Sequence, residues 1–145
     1  MNTNFCSAWL VLFFLYSCVR HPAGQTSHIQ GCYSTNNKKD SIKMQLSSNG
    51  NYIKGYLTYS LYQKDKNNGT FEGEMHHDTL IADYTFNSEG NTSVREIAFL
   101  LKDTLLIEGY GEMKYKGEKL VFKNTKYLSF PGTIVLRKTS CQPSR

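Results

Sequence analysis

The sequence predicts an all-β protein: a single antiparallel meander that closes into a small β-barrel, with a β-sandwich as the alternative. Short segments in which apolar and polar residues alternate recur along the chain, with turn residues about every eight to twelve positions. Ten tyrosines and eight phenylalanines stand against three prolines, and aromatic side chains pack well on a pleated surface. No segment combines a helical period of apolar residues with capping residues. A closed barrel leaves no unpaired strand edge, which suits a monomer.

Alternation and turn chemistry justify the first strands. Ile42, Met44 and Leu46 alternate with polar residues, which is typical of a strand with one buried face. Asn49 and Gly50 follow, and this pair tolerates the positive φ that a tight hairpin needs. The predicted strands are, in order, residues 29–34, 42–47, 52–62, 70–75, 80–86, 93–101, 105–112, 119–123, 126–129 and 133–137.

The turns in the middle of the chain follow the same logic. Asn68 and Gly69 predict a second Asn-Gly turn within residues 64–69. Further along, an Asp-Thr pair stands twice at a turn that enters an apolar strand, which indicates a repeated hairpin unit. These pairs are Asp78 with Thr79 and Asp103 with Thr104.

The amino terminus is interpreted as a targeting segment. Residues 5–19 include an apolar run that is too short to span a bilayer. The run ends at Leu15-Tyr16-Ser17-Cys18, which resembles a bacterial lipobox and implies cleavage before Cys18 and lipid attachment to it. The expected organisation is then a signal peptide at 1–17, a tether at 18–27 and a folded domain at 28–145. The alternatives are an ordinary secretory signal cut nearby, or a buried first strand.

Two cysteines remain in the predicted domain, one near each of its ends. In an oxidising compartment Cys32 and Cys141 are expected to form a disulfide. This pairing requires the first strand to lie beside the end of the last. The alternative is two free buried thiols.

Several charged residues lie in or beside apolar strands. Arg95 alternates with Ile97 and Phe99 and should therefore point into the interior, where an arginine needs a carboxylate partner. The expected partner is Glu89, or Asp83 across the hairpin. This set is either a structural ion-pair cluster or an anchor for a ligand. Its members are Asp83, Glu89, Arg95, Glu96 and Glu108, with Tyr84 and Tyr110 beside them.

Tyrosines on the predicted strands suggest what a ligand would meet. They could line the mouth of a barrel and stack on a sugar or another flat molecule, and a small apolar or sugar-like ligand is therefore expected. Tyrosines on strands also serve as half-buried packing residues. The residues concerned are Tyr52, Tyr56, Tyr62, Tyr84 and Tyr110.

Other activities have little support in the sequence. His76 and His77 are strand neighbours whose side chains point to opposite faces, so no metal site is predicted. Basic residues such as Lys114 and Lys116 are scattered singly, which indicates a solvated outer face rather than a nucleic-acid surface. No nucleophile elbow, phosphate loop or dinucleotide fingerprint is present. We therefore expect neither an enzyme nor a cofactor.

Four segments resemble one group of proteins. Residues 62–73, 82–90, 95–96 and 108–111 are similar to small envelope lipoproteins of the Bacteroidetes, over about half of the chain that follows Cys18. The resemblance implies a lipidated, lipocalin-like all-β protein of the outer membrane and carries no assigned activity. The tether lacks the acidic cluster of surface-exported lipoproteins in that group, which favours a periplasm-facing protein.

A short modification signal fits the same resemblance. Secreted Bacteroidetes proteins are O-glycosylated where Asp is followed by Ser or Thr and then by an apolar residue. The signal occurs at three turns entering strands. The candidate acceptors are Ser41, Thr79 and Thr104.

The expected function is a lipid-anchored binding module in the bacterial envelope, which holds a small ligand or a partner protein. The alternative is a structural or inhibitor-like lipoprotein with a packed core, acting through loops such as residues 64–68.

Overall fold

The structure, a computed structural model, describes residues 28–37, 39–64 and 66–141. The predicted signal peptide, the lipidation site Cys18 and the tether lie outside the described residues. Within the described residues no helix is long and apolar enough to cross a membrane.

Strands dominate the described chain. One short 3₁₀ helix, Thr125–Tyr127, interrupts them. The ten strands are β1 Gly31–Asn36, β2 Ser41–Asn49, β3 Tyr52–Ser60, β4 Asn67–His76, β5 Thr79–Ser88, β6 Asn91–Lys102, β7 Leu105–Gly109, β8 Met113–Lys116, β9 Lys119–Phe122 and β10 Val135–Thr139.

Eight of the strands close into an antiparallel barrel. Strands β1 to β6 each pair with the next strand in sequence, and β10 pairs with both β7 and β1. The long β5–β6 pairing joins the two ends of this sheet and completes the ring of β1 to β7 and β10. The predicted fold class is confirmed, in the form of the barrel and not the sandwich.

Large apolar side chains fill the barrel interior. They come from alternate positions of the strands, as the period of two requires. Burial of each such side chain stabilises the fold by about 2 kcal/mol. The largest fully buried ones include Tyr33, Phe71, Tyr84 and Phe99.

Two glycines of β4 lie where the backbones of β4 and β5 approach closely. A Cβ atom on Gly69 would lie 1.9 Å from the carbonyl oxygen of Thr85, and one on Gly73 would lie 2.1 Å from that of Ile81. Glycine in a strand often marks a sharp bend of this kind. The predicted turn at 64–69 is therefore wrong in part, because Asn68 and Gly69 belong to β4.

The two ends of the barrel differ. At the turn end, short turns at 50–51, 77–78 and 103–104 join the strands, and the buried Ile29 lies before β1. The loop end carries the segments 37–40, 61–66 and 110–134, together with the short β5–β6 turn. The chain enters the barrel at the turn end.

The segment between β7 and β10 folds against the outer wall. Strand β9 runs parallel to β6 and pairs with it at Val94 and Arg95, and β8 pairs with β9. The predicted strand at 126–129 is wrong, because a 3₁₀ helix occupies residues 125–127. The side chain of Asn124 caps this helix by accepting a hydrogen bond from the Lys126 amide at 2.9 Å. The predicted strand at 105–112 ends earlier, at Gly109.

The predicted disulfide is present and joins the ends of the barrel sequence. Cys32 lies in β1 and pairs with Thr139 of β10, so the last strand brings Cys141 beside the first. The Cα atoms of the two cysteines are 5.1 Å apart. The disulfide therefore locks the seam between β1 and β10.

Candidate functional site

Arg95 points into the barrel near the loop end and lies among aromatic rings. Its register partner on β5 is Tyr84. The guanidinium carbon is 5.3 Å from the ring centroid of Tyr59, 5.8 Å from that of Tyr84 and 5.5 Å from that of Phe86. Each cation–π contact of this kind contributes about 0.5–2 kcal/mol. The rings therefore hold the cation in place without an anion.

The predicted ion pair of Arg95 with Glu89 or Asp83 is wrong. No described carboxylate lies within 4.0 Å of the guanidinium. Asp83 points outward and pairs with Lys119, and Glu89 is exposed in the β5–β6 turn. The Nε atom of Arg95 is buried and has no hydrogen-bond partner.

Glu108 is the buried carboxylate of this group, and both of its oxygens accept hydrogen bonds from tyrosine hydroxyls. Glu108 is 7% exposed, at the end of β7. Its Oε1 atom accepts a hydrogen bond from the Tyr59 hydroxyl at 2.6 Å, and its Oε2 atom accepts one from the Tyr110 hydroxyl at 2.9 Å. Such charge-assisted bonds are stronger than neutral ones. They fix the positions of both rings.

These phenols remain protonated at neutral pH. Burial raises the pKa of Tyr59 well above its usual value, and the charge of Glu108 raises it further. The pKa of Tyr110 is raised by the same two causes, in the same order. Burial raises the pKa of Tyr84 to about 12, although Arg95 acts in the opposite direction. All three hydroxyls therefore donate; that of Tyr84 donates to the Leu57 carbonyl at 2.8 Å.

Asn67 adds a second polar group that has no partner. It lies in β4 opposite Tyr59, and its Oδ1 atom is buried without a hydrogen bond. Among the described residues, this atom and Nε of Arg95 are the buried side-chain polar atoms left without a partner. Both belong to one group of neighbouring residues, which we name the mouth cluster: Tyr59, Asn67, Tyr84, Phe86, Arg95, Glu108 and Tyr110.

The remaining charged residues of the predicted cluster lie on the outer wall or in a turn. Asp83 binds Lys119 of β9, and Glu96 Oε2 accepts a hydrogen bond from the Phe122 amide at 2.8 Å. Both carboxylates therefore attach β9 to the barrel. The structure brings together Tyr84, Arg95, Glu108 and Tyr110, and it separates Asp83, Glu89 and Glu96 from them.

The tyrosines proposed for a barrel mouth divide in the same way. Tyr62 and Tyr110 lie at the loop end and are 52% and 39% exposed. The ammonium of Lys39 lies 4.5 Å from the centroid of the Tyr62 ring. Tyr52 and Tyr56 instead face outward from β3, so the expectation that they line the mouth is wrong.

The candidate glycosylation acceptors and the two neighbouring histidines do not belong to the mouth cluster. Thr79 and Thr104 stand at the turn end, and Ser41 begins β2 at the loop end. Thr104 is exposed, whereas Ser41 and Thr79 are partly buried. His76 and His77 are both exposed, and no group of described residues is arranged to hold a metal ion.

Three members of the mouth cluster were missed by sequence reasoning. Tyr59 and Phe86 lie on the apolar faces of their strands, and alternation alone would have placed both inside. Asn67 has no such signal, because its local sequence predicts a turn at 64–69. Only the start of β4 at Asn67 reveals that its side chain faces Tyr59.

Chemically, the mouth cluster offers one cation, one carboxylate, phenol hydroxyls and aromatic faces around two unpartnered polar atoms. This arrangement suits the binding of a polar molecule by hydrogen bonds.

Comparison of the chain with known protein families, with curated proteins and with solved structures found no match in any of the three.

Proposed function

We propose that the protein is a binding module that holds a small polar ligand at the loop end of its barrel, through Arg95. The observation that carries this proposal is the buried Nε atom of Arg95, which has no acceptor although the guanidinium is fixed by three rings. An unsatisfied buried donor costs about 1–3 kcal/mol. A ligand that supplies an acceptor recovers that cost on binding.

The filled interior limits where the ligand binds. Tyr33, Phe71 and Phe99 are at most 2% exposed and occupy the barrel below the mouth cluster. A long apolar ligand would need that space. The ligand is therefore small and stays at the mouth.

The same filled interior favours a second function. A structural or inhibitor-like lipoprotein has no need of an internal cavity and acts through its surface. The exposed residues Tyr62, Gln63 and Lys64 at the loop end would then contact a partner protein.

We place the protein in the bacterial envelope, anchored by lipid on Cys18 and facing the periplasm. The apolar run before Leu15-Tyr16-Ser17-Cys18 supports this location, as does the Cys32–Cys141 disulfide, because disulfides persist in oxidising compartments. The folded domain begins at the turn end, so an anchor there leaves the mouth cluster facing away from the membrane.

Ligand binding is tested by calorimetric titration of the wild type and of Arg95→Met with a panel of small polar molecules. We expect a binder that the variant loses, while Arg137→Met, which removes an exposed arginine of β10, retains it. A binder that both variants retain would contradict the assignment of the site. No binder at all, with unchanged stability of Arg95→Met, would favour the surface-acting alternative.

The location is tested by expression of the full chain in a bacterium that processes lipoproteins. We expect the wild type in the membrane fraction with incorporated fatty acid, and Cys18→Ser in the soluble periplasmic fraction. Equal membrane association of both proteins would contradict lipidation at Cys18.

A further inference from the structure

We infer that the ligand of the mouth cluster is a neutral sugar residue, rather than an anion or an apolar molecule. This inference rests on the proposed binding function and specifies its ligand. Three features of the described residues carry it: the charge balance of the mouth, the chemistry of the two unpartnered atoms, and the exposed ring of Tyr110.

The charge balance favours a neutral ligand. Arg95 supplies one positive charge, and Glu108 supplies one negative charge that is almost fully buried and hydrogen-bonded to Tyr59 and Tyr110. An anionic ligand on Arg95 would leave two negative groups facing one cation in a partly desolvated site. Because buried charge without a counter-charge is costly, a neutral molecule is preferred there.

The two unpartnered atoms favour hydroxyl groups. Arg95 Nε can only donate and needs an oxygen acceptor. Asn67 presents an amide, whose oxygen accepts and whose nitrogen donates, and the two ends can exchange by rotation. A hydroxyl group both donates and accepts, so it satisfies Asn67 in either orientation and Arg95 as well.

Tyr110 supplies a flat surface at the same end of the barrel. The residue is 39% exposed, and its hydroxyl donates a hydrogen bond to Glu108. A sugar ring has an apolar C–H face and hydroxyl groups around its edge. Its apolar face can therefore lie on Tyr110 while its edge bonds to Arg95 and Asn67.

The test compares matched ligands on the mature protein by protein-observed NMR and calorimetry. The probes are glucose, galactose and N-acetylglucosamine, the charged analogues glucuronate and galacturonate, and the uncharged apolar molecule decanol. We expect a neutral sugar to bind, and to bind at least about tenfold more weakly to Arg95→Met and to Tyr110→Ala. Tyr110→Phe keeps the ring and should retain more of the affinity than Tyr110→Ala.

The outcomes separate this inference from the function on which it rests. Binding of the uronates or of decanol in preference to the neutral sugars would overturn the sugar assignment and leave a binding module. Sugar binding that Arg95→Met and Tyr110→Ala leave unchanged would overturn the site. No binding of any probe, with unperturbed Arg95 and Tyr110 resonances in the wild type, would overturn the sugar inference. Circular dichroism of each variant controls for loss of the fold. Arg95→Lys, which keeps the positive charge, controls for the loss of that charge in Arg95→Met.

Discussion

At the scale of single residues, Arg95 is held by aromatic rings and not by an acid. The three rings lie 5.3–5.8 Å from its guanidinium carbon. Cation–π attraction offsets part of the cost of withdrawing the charge from water, but it gives Nε no acceptor. We therefore expect Arg95 to contribute little to the stability of the fold, as the proposed binding role of its Nε donor requires.

Replacement of Arg95 by Met should leave the free energy of unfolding within about 1 kcal/mol of the wild type. The lost cation–π contacts and the removed unsatisfied donor are of similar size and opposite sign. Urea denaturation of Arg95→Met and of the surface control Arg137→Met measures the difference. A loss of more than about 3 kcal/mol in Arg95→Met alone would indicate a supporting ion pair and contradict the described contacts.

The buried phenols predict how stability changes at alkaline pH. Burial raises the pKa of Tyr84 to about 12 from the usual 10.0, so the folded protein holds this proton more tightly than the unfolded chain. Stability is therefore retained below pH 10 and falls as the pH rises from about 10 to about 12. Denaturation curves across this range should show a shallower fall for Tyr84→Phe.

We also expect Tyr84→Phe to have a lower free energy of unfolding than the wild type at neutral pH. It loses the hydrogen bond from the Tyr84 hydroxyl to Leu57, about 1 kcal/mol. The matched control is Tyr115→Phe, which removes a phenol that is 77% exposed on β8. An equal loss of stability above pH 10 in Tyr84→Phe and in the wild type would contradict the raised pKa of Tyr84.

At the scale of elements, β4 depends on its glycines. The close approach of β4 to β5 leaves no room for a Cβ atom at Gly69 or Gly73. Both lie on the inward face of the strand, which also carries the core side chains of Phe71 and Met75. The barrel wall can therefore bend here because Gly69 and Gly73 have no side chains.

Replacement of Gly73 by Ala should lower the free energy of unfolding by more than about 2 kcal/mol, because the strands must separate. The new Cβ would lie 2.1 Å from the Ile81 carbonyl oxygen and 2.4 Å from the Ala82 Cα atom. The control is Gly90→Asn in the β5–β6 turn, where nothing lies within 4 Å and Asn tolerates the positive φ of 82°. Equal stability of the two variants would contradict the close approach.

At the scale of the whole molecule, both hydrogen bonds between strands and a disulfide hold the barrel closed. Hydrogen bonds between β5 and β6 complete the ring, and the disulfide secures the β1–β10 seam across a sequence separation of 109 residues. A covalent link over so long a loop restricts the unfolded chain strongly. The mouth cluster lies at the end of the barrel away from the entry of the chain.

Removal of the disulfide by the double substitution Cys32→Ala and Cys141→Ala should lower the free energy of unfolding by up to about 4 kcal/mol. The fold should persist, because the hydrogen bonds of β1 and β10 do not depend on the sulfur atoms. Chemical denaturation of the variant and of the wild type, with and without reductant, measures the effect. A reductant-insensitive wild type would show that the thiols are not paired.

Local pattern predicted most strands because alternation is a property of a few consecutive residues. The predicted strand at 80–86 became β5, which is Thr79–Ser88. The errors fell where local preference and the barrel disagree. Asn68 and Gly69 are a favourable turn pair in isolation, but the barrel needs Gly69 within a strand to let β5 approach.

The sequence by itself determined the all-β class, the pairing of Cys32 with Cys141 and the inward direction of Arg95. Each of these follows from composition, cysteine number or the period of two along one strand. Only the tertiary structure decided which groups surround Arg95. Its neighbour Tyr59 comes from β3, and Glu108, which binds the Tyr59 hydroxyl, comes from β7. The stagger of eight strands around the barrel, which no local pattern specifies, brings these residues together.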